Sequence, residues 1–314
     1  LAALPYLRSK FLFMKVIRFI FGVMIVCLYT TGSLRAGTAV PADSTGLPGD
    51  NFSLEGALEM FKKAGSPEEF EKMINTEDNK VNNLDLNNDG DIDYIKVIDK
   101  GDGDAHAFIL QAAVSTNESQ DIAVIELEKT GSNAAVLQIV GDEDIYGEQV
   151  IVEPVAESRA TARPAQARTR STTTANVVVN VWTWPVVRHV YAPGYIVWVS
   201  PWGWRARPIG WHPWRPVRYH VFYPYRIPYH RHYVVVHHHR VIHAHRIYTP
   251  VRTTSVTVHT RHRESVDHYR AARTTRSTTV TKGNKQAKVT RRTTTVHGKS
   301  GKATKRTTRV RSKN

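Results

Sequence analysis

Past residue 50 the chain opens with apolar positions at helical spacing. Leu54, Ala57, Leu58 and Phe61 share one face of the stretch after Ser53, and Gly65 stops it, which predicts a short amphipathic helix. Ser66-Pro67-Glu68-Glu69 offers a capping box with Pro at the first helical position, opening a second helix through Phe70, Met73 and Ile74. After Asn79 the period changes to two. Residues 81–86, 93–99, 105–114, 121–129, 134–141 and 149–154 read as strands, separated by Asn, Asp, Gly or Ser turns. The fold class this predicts is α+β: two N-terminal helices packed on one face of a mainly antiparallel meander. No repeat of the length that builds solenoids or propellers is visible.

The pattern then breaks. Residues 158–175 carry Pro, Ala, Thr and Arg with no apolar period and read as a flexible linker after an acidic domain at 43–157. In 176–250 the chain is aromatic and β-branched, and all seven Trp fall between Trp182 and Trp214. Pro interrupts it every few residues, so short strands, edge strands and extended stretches are expected. From Val251 to Asn314 there is Thr, Arg and Lys with little to bury, so disorder is expected, or strands formed only on a partner.

The N-terminal end adds a compartment. Met14 is the first Met; Lys15 and Arg18 precede an apolar run from Phe19 to Leu28, and small residues follow with cleavage points after Ala36, Ala39 or Ala42. That is the layout of a secretory signal at 14–42, with residues 1–13 an over-read start. The apolar run falls short of the ~17–25 residues that cross a bilayer, so an uncleaved anchor is the lesser alternative. The expected location is the periplasm or outer envelope. Cys27, the single cysteine, lies inside this signal, and the mature chain has no thiol for disulfides, Cys-based zinc sites or Cys nucleophiles.

Charge divides the rest. Asp43 to Ser158 holds 26 acids against 7 Lys, net −19, and Arg159 to Asn314 holds 31 Lys and Arg against Glu264 and Asp267, net +29. Such asymmetry predicts an anionic partner, an envelope polymer or lipid headgroups, or contact between the chain's own halves. Basic plus aromatic is also a single-strand nucleic-acid signature, but export separates the chain from intracellular nucleic acid. The carboxylates of the acidic domain are evenly scattered, which reads as a solvated surface.

Two patterns carry candidate chemistry. Asp85, Asn87 and Asp89 alternate, Gly90 follows, and Asp93 sits at position nine with the Asp91 carbonyl at seven, matching the front of a calcium loop. Lys96 stands where an EF-hand needs an acid, and a strand follows rather than a helix. The alternative is an Asp-Gly turn whose side chains cap their own backbone. Fourteen of fifteen His lie in the tail, and a strand would put His237, His239, His243 and His245 on one face, a spacing that can hold zinc, copper or nickel. Neighbouring carboxylates are absent from that stretch, so a merely polar, pH-responsive surface is the competing reading. His262, Glu264 and His268 form a weaker cluster. His297-Gly298-Lys299-Ser300 lacks the first Gly of a phosphate loop, since position 293 is Thr, and GxSxG and HExxH are missing. The expectation is a non-catalytic protein.

The blocks DNFSLEGALEMF, DLNNDGDIDYIKVIDK, SQDIAVIELEKTG and VLQIVGDEDIYGE, continued by VYAPGYIVWVSPWGW and WHPWRPV, resemble an uncharacterised exported protein family associated with Bacteroidetes. The resemblance spans nearly everything after Met14. It implies the same layout and a secreted location, and it transfers no activity and no site residues.

Overall fold

Ser53 and Ser66 start the first two helices of the computed structural model, which describes residues 44–156, 178–271, 273–282, 285–298 and 301–313. The signal at 14–42 and the linker at 158–175 lie outside the described residues. The Ser53 hydroxyl accepts from the Gly56 amide at 3.0 Å and opens α1 (Leu54–Lys63). Ser66 accepts from the Glu69 amide at 3.2 Å and opens α2 (Pro67–Ile74), while the Glu69 carboxylate reaches back to the Gly65 amide at 2.7 Å.

Five strands then run as an antiparallel meander: β1 (Ile95–Asp102), β2 (Ala105–Ala113), β3 (Ser119–Gly131), β4 (Ala134–Gly141) and β5 (Val150–Pro154), with a helical turn, α3 (Glu143–Tyr146), between the last two. The α+β class holds, but residues 81–86 are not a strand. They contribute one bridge, Phe52 to Asn82. Their asparagines bond the backbone instead. Asn82 accepts from Leu84 at 3.0 Å and donates to the Asp93 carbonyl at 2.8 Å, and Asn83 holds both backbone groups of Val217 at 2.8 Å. Such side chains compete with a ladder for the same amides.

The sixth strand comes from the aromatic segment. After α4 (Pro185–Val190) and α5 (Tyr219–Arg226), β6 (Tyr233–Val236) pairs antiparallel with β5, with Val236 opposite Ile151 and Tyr233 opposite Pro154. It is a short edge strand in a Pro-free run, as Pro spacing requires. At the other edge Val199 bridges Ile98. Residues 233–236 and Val199 thus join the two edges of the meander. The reason lies in β2, whose nine residues are all buried. A strand buried on both faces needs cover on both, and α1 and α2 cover one.

The first face is apolar over most of its area, with Asp99 and His106 buried at its edge, where the register sets them opposite Phe108 and Leu127. Val97, Phe108, Leu110, Ile125, Leu127, Leu137, Ile139 and Val152 pack with Leu58, Phe61, Phe70 and Ile74 of the helices. Phe61 meets Phe70 edge-on at 5.1 Å and Phe108 at 5.2 Å, and Val186, Val187 and Val190 of α4 extend the same core. The second face carries Ala107, Ile109, Val124, Val140, Ile151 and Val236, covered by Tyr248 of α6 (Ile242–Tyr248). A bulge opposite Leu110 and Gln111 brings Ile122 and Ala123 both into the first core, while Asp121 meets Gln111 and Tyr248 of the second.

Disorder beyond Val251 is also corrected in part. Ser255 caps α7 (Val256–Ala271), accepting from the Val258 amide at 3.2 Å, and Val258 and Val266 are buried. Two valines eight residues apart on one helical face are a thin signal in a polar stretch. Three further antiparallel strands follow, β7 (Arg273–Lys282), β8 (Lys285–Gly298) and β9 (Gly301–Lys313), in the order β7-β8-β9. Among the described residues no helix is long and apolar enough to cross a membrane.

Candidate functional site

The acids of residues 44–156 are only in part a solvated surface. Among the described residues nine are buried: Asp50, Glu71, Asp93, Asp99, Asp121, Glu126, Asp142, Asp144 and Glu153. Most meet donors from 178–271. Glu71 accepts from Trp198 Nε1 at 3.2 Å and Ser200 Oγ at 2.9 Å, besides Tyr94 Oη and the Val97 amide at 2.8 Å each. Burial still pushes its carboxyl up, against those four hydrogen bonds. Asp99 takes His106 Nδ1 at 3.0 Å and Tyr195 Oη at 2.8 Å. Arg252 grips Asp142 through Nε at 2.6 Å and Nη2 at 3.0 Å and reaches Asp144 at 3.2 Å. Arg226 faces Glu55 at 3.7 Å, and Arg240 faces Glu153 at 3.1 Å.

The loop of alternating acids is closed by its own side chains. Asp85 accepts from the Asp89 and Gly90 amides at 3.2 and 3.0 Å, Asn87 from the Asp89 amide at 2.8 Å, and Asp89 from the Asp91 amide at 2.9 Å. Asn87 Nδ2 also donates to Asp89 Oδ2 at 2.8 Å. Positive φ at Asn88 (61°) and Gly90 (88°) makes the turn, a conformation Gly adopts freely and Asn tolerates. Asp93 points the other way, buried, with Oδ2 taking the Leu86 amide at 2.6 Å. Its carboxyl is pushed up to about 7, chiefly by burial, with Asp85 and Asp89 adding repulsion. Asp91 is exposed at the tip.

The four histidines do not share a strand. β6 ends at Val236, His237 and His239 lie in the following turn, and His243 and His245 lie on α6. Asp102 takes His243 Nε2 at 3.6 Å on the surface. His239 and His245 do come together, ring centroids 4.0 Å apart at 37°, and beside both Nδ1 atoms stands a carboxylate the sequence did not single out. Glu126 of β3 is fully buried on the second face, where the register sets it beside Ala107 of β2 and Gln138 of β4. Its Oε1 lies 2.6 Å from His245 Nδ1 and its Oε2 3.6 Å from His239 Nδ1. The hydrogen bond that His245 donates to Glu126, outweighing burial, raises the His245 pKa above its ordinary value. Among the described residues these are the three metal-ligating side chains whose donor atoms all lie within 4.8 Å of one another. Strand alternation held the signal: Val124, Glu126 and Glu128 share a face, so a charge followed a core valine inward.

The weaker cluster does not form. On α7, His262 and Glu264 are two residues apart, about 200° around a helix, and point away from each other. In the basic sheet, the register sets Arg276 opposite Arg291, Lys282 opposite Lys285 and Lys288 opposite Arg311.

No protein-family model matches the chain, and neither curated proteins nor solved structures give a match.

Proposed function

We propose that the chain is an exported, non-catalytic envelope protein held on an anionic surface, polymer or lipid headgroup, by residues 273–313. What supports this is the charge left over once the acids have met their partners. Residues 44–156 carry 24 acids against 7 Lys, and 178–271 carry 13 Arg against two acids, so this body nets −6. Residues 273–313 carry 14 Lys and Arg and no acid. Like charges set opposite one another across a ladder weaken it, as at Arg276 and Arg291. A row of phosphates or carboxylates removes that repulsion. Each Lys or Arg close to an anionic membrane contributes about 1 kcal/mol, so half of these bases would retain the chain.

The acidic body is repelled by the same surface over a Debye length of about 8 Å at physiological salt, which leaves the basic segment as the point of contact. The aromatics of 178–271 are largely engaged elsewhere: Trp184 is in the first core, and Trp182 and Trp198 pack against it.

The test uses the whole mature chain with vesicles of phosphatidylglycerol, vesicles of phosphatidylcholine, and a soluble anionic polysaccharide. Sedimentation with the anionic vesicles or capture by the polymer, release by salt, and loss of both when the chain is ended after Ala271 are expected. Binding to neutral vesicles that salt does not release, or binding that survives the deletion, refutes it.

A further inference from the structure

We infer a site for a first-row divalent ion, zinc foremost, formed by Glu126, His239 and His245 where β3, the turn after β6 and α6 meet. The site stands apart from the surface reading and uses none of residues 273–313.

Two buried atoms carry the inference. Glu126 Oε2 and His239 Nδ1 are both shielded from solvent, both lack a hydrogen-bond partner, and face each other at 3.6 Å. The other nitrogen of His239, Nε2, lies 3.3 Å from the Gln149 side-chain carbonyl oxygen. A carbonyl only accepts, so Nε2 carries the proton and Nδ1 presents a bare lone pair to a carboxylate oxygen. Lone pair against lone pair in a buried site is unfavourable, and 3.6 Å is too long for a hydrogen bond even on a protonated ring. A cation between the two atoms satisfies both. Gln149 then plays the part of the outer hydrogen-bond acceptor that orients a ligating imidazole.

The distances fit a small ion. Donors ~2.0–2.1 Å from a tetrahedral centre stand ~3.4 Å apart, close to the separation of Glu126 Oε2 and His239 Nδ1. His245 Nδ1, now hydrogen-bonded to Glu126 Oε1 at 2.6 Å, would lose its proton to solvent as the ion takes its lone pair, and all three donor atoms already lie within 4.8 Å of one another. Two imidazoles and one carboxylate suit zinc, copper or nickel. They do not suit calcium or magnesium, which take oxygen donors. Three protein donors leave a fourth position for water or a small anion.

The experiment is a zinc titration of the untagged mature chain in a competing chelator, with cobalt(II) as a spectroscopic probe. One tightly held ion per chain is expected, with an intense visible cobalt band of tetrahedral type. Glu126→Gln and His245→Ala should each weaken zinc at least tenfold and abolish the band, since even outer-shell changes cost about 10–100-fold. His243→Ala, a surface histidine at Asp102, should leave both unchanged. Should Glu126→Gln fail to fold, His239→Ala decides, because it alters a partly exposed turn. No stoichiometric zinc in the wild type overturns the site. So does an equal loss from His243→Ala and His245→Ala, which would mean diffuse binding by a histidine-rich surface.

Discussion

Phe108 and Glu126 are both fully buried on neighbouring strands of one sheet, on opposite faces, and their surroundings differ in kind. Phe108 meets Phe61 and the aliphatic residues of α1 and α2. Glu126 meets two histidines, and its face also buries Asp121, Gln138 and Glu153 among a few aliphatics. Away from Asp99 and His106 at its edge, the first face accepts any apolar cover of suitable shape, because the hydrophobic effect is non-directional. A face with buried acids accepts only a cover that brings donors to particular atoms. Tyr248 and the Thr253 amide at Asp121, at 3.2 and 2.8 Å, and the Arg240 amide at Gln138, at 2.8 Å, are such donors. The second face thus selects the segment that covers it.

The harshest way to break that comparison is to remove the cover. A fragment ending at residue 157 keeps β1 to β5 and both helices but loses β6, α6 and α7. Removing the cover opens Ile109, Val124, Val140 and Ile151 to water and takes Val186, Val187 and Val190 out of the first core; at about 1.5–3 kcal/mol per buried Val or Ile, the loss exceeds much of a domain's usual 5–15 kcal/mol. The fragment should lack cooperative unfolding and dispersed amide resonances. A fragment as stable as the whole chain would mean that residues 178–271 are an ornament on a self-sufficient domain. Within the intact chain, Phe108→Ala tests the apolar face alone, with an expected loss of about 3–5 kcal/mol in denaturant titration.

Arg252→Ala tests the polar face. It strands Asp142, which is 5% exposed, while the guanidinium itself keeps 28% of its surface in solvent. A loss of about 2 kcal/mol is expected, below that of a fully buried pair because water screens the arginine. Changing both partners to apolar residues of similar size should recover most of it. If the double change is as poor as the single one, the pair itself stabilises, and the face is held by more than avoided penalties.

The same contrast explains what could be read in advance. The first face was legible because its strands are runs of β-forming apolar residues and its two helices show helical spacing with Ser caps, so local pattern and packing agree. The second was not, because acids at inward positions look like surface until their donors are known, and those donors lie about 100 residues away in sequence. His239 and His245 were legible as chemistry but not as geometry: the chain leaves the strand after Val236, and α6 carries His245 back over Glu126. The turn's Asn and Gly were legible, but the strands expected at 81–86 and from Asp93 do not flank it, and Asp93 is held instead by the Leu86 amide and the Leu84 carbonyl.

The smallest expected effect is also the most specific to the second face. Asp121 is buried there with Gln111 Nε2 at 2.7 Å, Tyr248 Oη at 3.2 Å and the Thr253 amide at 2.8 Å. Burial lifts its folded pKa to about 6 from the ordinary 3.8; those hydrogen bonds oppose the rise and Asp142 adds to it. Between these values the folded protein holds a proton that the unfolded chain has released. Stability should therefore fall as pH rises through that window, and below it the penalty is absent. Asp121→Asn keeps the shape and removes the titration. Its melting temperature should match the wild type near the bottom of the window and draw ahead towards its top. The gain is trimmed because half-buried Lys96, whose pKa burial already depresses, loses an attractive neighbour. Glu71, Asp93 and Asp142, also held high by burial, leave a residual slope of the same sign in both proteins. Melting curves across pH for the two proteins decide the matter. If they run parallel, Asp121 keeps one charge state throughout, and its donors outweigh the cost of burying that charge.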